Sequence, residues 1–296
     1  MKNRKGRGAG QTRPLISGLS PMGTYRPGKA GELRLEFEKR KGRTLLVRSY
    51  SKLPLQILRP YPFREPDQVY LPLINPTGGV VGGDTFDIRI TLKKGARVYL
   101  TTPSATKIYR MKEGEESVQQ MVFEVEEGSE LAYHPEKTIP FAGSSFRQIL
   151  RVNLDATGRF SMAETLAPGR VSRGEKFLFR RYYSRTEVRV ENALVFLDVL
   201  DLQPEEDNLL EPGCLEGFEY LYTAFFHNWR DLQGPKGFQS LLATYAQEES
   251  RTAPAQPWIG SATTTHYGDV LIKALSRSPI LLDDLSAHIR AIARLG

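Results

Sequence analysis

Three stretches hold side chains suited to binding a cation or moving a proton. In "YHPEKTIPF", His134 and Glu136 stand two apart, and on a strand they would share a face. Glu164 and Glu175 flank "TLAPGRVSRGE", and Asp84 closes the glycine stretch "NPTGGVVGGD". Carboxylates with an occasional imidazole suit a divalent metal that is held weakly and then released. The same residue types also serve as surface and turn groups, and Asp84 can either cap its own loop or face a cavity. Spacing leaves both readings open. A tight structural zinc finds no support, because HxH, HExxH and cysteine-rich patterns are absent and Cys214 stands alone.

The glycine stretch invites a nucleotide reading, which its context opposes. A phosphate loop needs GxxxxGK[ST] running into a helix, so that amides and a lysine surround the phosphates. Here Gly78, Gly79, Gly82 and Gly83 lead to Asp84-Thr85, with no lysine, and then to an alternating run. The glycines are read instead as turn geometry or close backbone contact. Hydrolase chemistry is no better served. The four histidines lie far apart, GxSxG is missing, and Cys214 has no basic neighbour in sequence to lower its pKa.

The elements that must position these residues are strands. Period-two alternation recurs from about residue 31 to 200: Leu33, Leu35, Phe37; Leu45, Val47; Phe86, Ile88, Ile90, Leu92; Met121, Phe123, Val125; Leu150, Val152, Leu154; Val195, Leu197, Val199. Turn signals separate them, among them "KKGA", "EEGS", "DATG" and "APGR". Neither a helix nor a βαβ rhythm interrupts this body, so a doubly wound sheet is not expected. Helical spacing appears only late, in Phe238, Leu241, Leu242, Tyr245 and again in Leu282, Leu285, Ile289, Ile292. Asp283 and Asp284 early and Arg290 and Arg294 late would match the dipole of the second helix. "GFEYLYTAFFHNW" reads as a strand and "SRTAPAQPWIGSATTTHYG" as an irregular loop. No fixed internal repeat is evident.

Charge divides the chain. Residues 1–29 carry seven cations and no acid, whereas the rest of the chain balances 34 basic against 34 acidic residues. Residues 1–30 are therefore expected to form a basic, disordered tail, and 31–296 a single domain. No apolar stretch reaches the roughly 18 residues of a membrane helix. No apolar core follows the first basic residues, so the cytoplasm is the expected compartment.

Four motifs in order carry a resemblance: "LINPTGGVVGGD", "LTTPSATKIYR", "HPEKTIPFAGSSFRQ" and "APGRVSRGEKF". Together they resemble the UreD (UreH) family of urease accessory proteins, over roughly residues 31–200 and more loosely to the C-terminus. The resemblance implies a mainly β fold, an irregular β-helix-like stack with two α-helices near the C-terminus. It implies no catalysis and no tightly bound cofactor, but a scaffold and conduit for nickel in transit. The implied partners are the urease structural subunits, UreF and, through UreF, the GTPase UreG. On that reading Asp84, His134, Glu136, Glu164 and Glu175 are candidates to line a polar nickel path. Lys107 and Arg170 would pair with buried carboxylates, and Gly78, Gly79, Gly82, Gly83, Tyr109, Pro140, Phe141, Gly169 and Gly174 are motif positions of structural weight. The competing expectation is that the acidic residues merely stabilise turns. Two other functions stay in view. A β protein could bind nucleic acid through its basic tail; a β-helical polysaccharide enzyme would need export and paired carboxylates, which the sequence does not offer.

Overall fold

The computed structural model describes residues 29–63, 65–209, 211–229, 237–240, 243 and 258–293. The basic tail before Lys29 lies outside them. The chain is wound as a stack of β coils between two sheets. β1 (Ala30–Arg40), β2 (Arg43–Lys52), β3 (Gln56–Ile57), β4 (Tyr61–Phe63) and β5 (Glu65–Ile74) form the first layer. Three coils follow: β6 (Thr85–Leu92), β7 (Arg97–Thr101), β8 (Thr106–Ile108); β9 (Ser117–Val125), β10 (Glu130–Tyr133), β11 (Thr138–Pro140); then β12 (Ser145–Leu154) and β13 (Arg159–Leu166). β14 (Arg181–Val190) completes the parallel stack. Antiparallel strands β15 (Ala193–Leu202), β16 (Tyr220–His227), β17 (Trp258–Thr264) and β18 (Val270–Ser276) close it.

Parallel pairing without helical crossovers is possible because each coil returns through the opposite sheet. One sheet runs β15-β14-β12-β9-β6-β1-β2, the other β17-β18-β16-β13-β10-β7-β5-β3. Register then stacks like on like: Leu35, Ile90, Phe123, Val152 and Val188 align across five strands, as do Phe37, Leu92, Val125, Leu154 and Val190. Phe37, Ile90, Leu92, Phe123, Val152 and Val188 have no exposed surface. Each such side chain contributes about 1.5–3 kcal/mol through burial.

The repeat that the sequence hides is carried by its turns. "KKGA", "EEGS" and "DATG" stack at one corner, the amide of Lys94 donating to Glu126 Oε2 (3.1 Å) and that of Glu127 to Asp155 Oδ2 (2.9 Å). Coil lengths differ, so no fixed period survives in the sequence.

Three expectations need correction. On edge strands β2 and β15, Leu45, Leu197 and Val199 point outward, with exposures of 45%, 46% and 48%. The pairing slips by one at Glu36/Phe37 and at Val188/Arg189, and a bulge moves every following side chain to the other face. Residues 258–264, expected in a loop, form β17, which hydrogen-bonds to β18 along its whole length. Asp283 and Asp284 lie beyond the first turn of their helix, and Asp283 instead pairs with Lys137.

Helix α1, seen at 237–240 and 243, and helix α2 (Pro279–Ile292) pack on the outer face of the second sheet. Leu282, Leu285 and Ile289 meet Tyr222, Ile272 and Ala274 there, and Phe238 stacks on Phe226 at 5.6 Å. Pro279 starts α2 with its fixed φ at a position that needs no amide donor. Among the described residues no helix is long and apolar enough to cross a membrane.

Candidate functional site

The four motifs converge on one corner of the stack. The amide of Val80 donates to Lys107 O and that of Tyr109 returns to Val80 O, both at 2.8 Å, and the amide of Phe141 donates to Ile108 O (2.9 Å). The glycine stretch is thus a rung of the coil ladder. A Cβ on Gly79 would lie 2.5 Å from Lys107 O and from the Tyr109 ring, so only glycine lets these layers touch. Gly169 is the counterpart in the last motif: its φ is +138°, and an added Cβ would meet Glu175 O at 2.5 Å.

Asp84 sits 2% exposed in this ladder. Its Oδ1 accepts the Lys29 amide (2.8 Å) and its Oδ2 the Val81 amide (3.0 Å). Both oxygens are committed to backbone, so Asp84 caps the turn. Glu175 has a similar duty. Arg170 donates to it through Nε (2.8 Å) and Nη2, and the Ala142 amide adds a bond at 3.3 Å. The Arg170 guanidinium, foremost among these, holds the Glu175 carboxyl below the usual carboxylate range. Lys107 pairs with no carboxylate among the described residues, unlike Arg170.

The other three candidates gather around Pro135, where three cavities adjoin. Pro135 lines all of them. A cavity of about 950 Å³ opens where β14 and β15 diverge from β13, β16 and β18, and its walls include Glu136, Glu164, Asp198, Asp201, Glu206, Asp207 and Glu211 against the single cation Lys273. A smaller one of about 140 Å³ lies under the glycine loop, between Gly78, Gly79, Tyr133, Gln148 and Glu164. A third, of about 380 Å³, lies against α2 and is lined by His134, Glu136 and Arg290. Glu164 therefore walls both the large cavity and the small one, and Glu136 walls the large one and the third.

Glu164 occupies an inward position of β13, in phase with core residues Phe160, Met162 and Leu166. Its Oε1 accepts from Gln148 Nε2 (2.7 Å), and Gln148 Oε1 in turn accepts from Gln119 Nε2 (3.1 Å). Burial pushes the Glu164 carboxyl up to about 7, helped by the Asp198 charge and opposed by the Gln148 hydrogen bond. Its remaining exposure faces the cavities.

His134 and Glu136 lie in the corner between β10 and β11, not on a strand, and alternation does not govern them. His134 is 4% exposed, stacked on Tyr99 at 5.6 Å, with Nε2 3.0 Å from Ser161 Oγ. Burial, and then the Arg290 charge, drives its pKa down to about 3, so the ring is neutral and Nδ1 has no partner. Glu136 is exposed. Among the described residues no three His, Cys, Asp or Glu side chains gather as a metal-holding group. The arrangement is a group of adjoining cavities, the largest of the three acid-rich, with a neutral imidazole beside them, unlike a closed metal centre.

A family model described as UreD urease accessory protein matches residues 29–295. The chain belongs to the UreD family. Its relatives include the urease accessory protein UreD of Deinococcus radiodurans, 41% identical over 68% of this chain and 72% of that one. UreD of Halalkalibacterium halodurans is 38% identical over 69% and 75%. UreD of Haloarcula marismortui is 35% identical over 67% of each. The β-solenoid-like stack and late helices agree with the fold that the resemblance implied.

Sequence reasoning overlooked Gln119, Gln148 and the acids of β15 and the 206–211 loop. A signal existed for the glutamines. Both stand in phase with buried apolar residues, Gln119 with Met121 and Gln148 with Leu150, where a polar side chain needs a partner.

Proposed function

We propose that this UreD-family chain is a non-catalytic scaffold and conduit in urease maturation, passing nickel through the cavities joined at Glu164. Its partners are the urease structural subunits, UreF and, through UreF, the GTPase UreG. One observation carries the reading: a single carboxyl walls both the acid-rich outer cavity and the small cavity under the glycine loop. A bare divalent cation is costly in a low-dielectric body, so transit needs oxygen ligands along the way. The small cavity, at about 140 Å³, holds a few ligands of water size, about 30 Å³ each. The acids at the wide mouth attract the ion. Glu164, poised near neutrality, gives up its proton as the ion arrives and takes it back as the ion leaves. Such a ligand binds without trapping. His134 offers a neutral imidazole beside the path, whereas Asp84 and Glu175 hold turns outside it.

Co-expression of Glu164→Gln with the urease subunits and the other accessory proteins tests this reading. The expected result is an assembled complex whose urease carries less nickel. Full nickel loading by an intact complex would sink the conduit role.

A further inference from the structure

On the outside of the motif corner lies a groove of about 900 Å³ that shares only Lys107 with the small cavity of the passage. Its walls carry Lys107, Arg170, Arg173, Lys176 and Arg277, with Glu219 the one carboxylate lining it. Two of these cations are already neutralised: Arg170 by Glu175 and Lys176 by Glu219. The Lys107 and Arg173 side chains are exposed and make no ion pair or hydrogen bond among the described residues, though the Arg173 charge adds to Arg170 in holding the Glu175 carboxyl low. The floor is apolar and fixed. Tyr109 packs edge-on against Phe141 at 5.1 Å, the Arg170 guanidinium covers the Phe141 ring at 4.2 Å, and Tyr220 is buried beside them.

We propose that this groove docks a short acidic peptide segment of a partner protein, its carboxylates pairing with Lys107 and Arg173 and an apolar side chain resting on the half-buried Tyr109, Ile139 and Val171 that line it. Charge complementarity selects this occupant. The chain's own residues 1–29 hold seven cations and no acid, so the tail is repelled by the groove. The rest of the chain is neutral overall, with 34 charges of each sign, and the two unpaired cations of the groove are few for a nucleic-acid backbone. The Phe141 face that a base would stack on is covered by Arg170. A groove of this volume also exceeds what one phosphate fills. Rigid apolar floor and unpaired rim cations are the parts of a peptide-recognition site: the floor supplies contact area, and the cations fix register and speed encounter. The Gly79 and Gly169 contacts explain why the motifs must be so close. They bring Lys107 and Arg173, 66 positions apart in sequence, to one groove.

The test uses the full chain and a fluorescent eight-residue probe of glutamates around a central leucine, read by anisotropy. Lys107→Glu with Arg173→Glu breaks no side-chain hydrogen bond or ion pair, and a thermal melt confirms that the variant compared is folded. It is expected to weaken probe binding at least tenfold. A control pair, Lys41→Glu with Arg59→Glu, changes net charge equally at exposed positions outside the groove and is expected to bind as wild type does. Equal weakening by both pairs would show only a net-charge effect and would overturn the site. So would an unchanged affinity in the groove variant, or a single-stranded RNA oligomer binding the groove more tightly than the peptide. Glu164→Gln is expected to retain probe binding. The groove and the nickel passage can therefore fail separately.

Discussion

Replacing Glu164 by Gln is expected to stabilise the protein, and to do so more as the pH rises. The carboxyl titrates at about 7 in the fold against an ordinary 4.5, because burial disfavours its charged form. Between those values the unfolded chain has released a proton that the folded chain still holds, so rising pH favours unfolding. From pH 5 to pH 8 the wild type loses about 2.5 kcal/mol through this one group. Cavity water reaching the carboxyl lowers that figure. Glutamine has the same shape and no charge, and its carbonyl can still accept from Gln148. The melting temperature of the variant minus that of the wild type should therefore grow by about 5 °C between pH 5 and pH 8. Thermal melts followed by circular dichroism across that range measure it. A difference that stays constant from pH 5 to pH 8 would refute the buried-carboxyl reasoning, whatever the effect on nickel.

His134 predicts the opposite slope on the acid side. Its folded value of about 3 lies below the ordinary 6.5, so stability is lost as pH falls below 6.5, and His134→Asn should flatten that limb of the melting curve. Asp84→Ala leaves the Lys29 and Val81 amides without their acceptor and should cost about 1–2 kcal/mol in urea unfolding. Asp84→Asn should cost less, with nickel delivery intact in the complex that assembles. Phe123→Ala removes a fully buried ring from the middle of the five-strand ladder and should cost about 3–5 kcal/mol, read by the same unfolding. Glu175→Gln should release Arg170 from its bidentate partner yet leave urease nickel content unchanged; loss of nickel with normal assembly would return Glu175 to the path.

How much was legible is best judged at particular residues. Phe86, Ile88, Ile90 and Leu92 announced an inward strand face, and they are buried as their alternation required. The same reading misplaced Leu197 and Val199, because a single bulge inverts the phase and a bulge leaves no mark on a hydrophobic pattern. Trp258–Thr264 looked like a loop since its polar residues face outward on the edge of its sheet, leaving Trp258 and Ala262 to carry the buried side. Glu164 was named as a candidate from its residue type and its flanking motif. Its place on the core phase of "RFSMAETL" was readable too, but not what it faced.

The order of residues by itself determined that the body is built of strands, that helices come late, and that the glycine stretch serves geometry more than phosphate. Those follow from local period and turn chemistry, which act over a few residues. The four ordered motifs also determined the family. Only the tertiary structure decided which carboxylates serve turns and which serve the cavities. Asp84 and Glu175 met backbone amides 55 and 33 positions away as well as nearby partners, whereas Glu164 met Gln148 of the adjacent strand and two cavities formed by strands far along the chain. Burial, and with it the raised pKa of Glu164, is a property of what surrounds a group in space. No spacing within one coil specifies how the next coil will stack upon it.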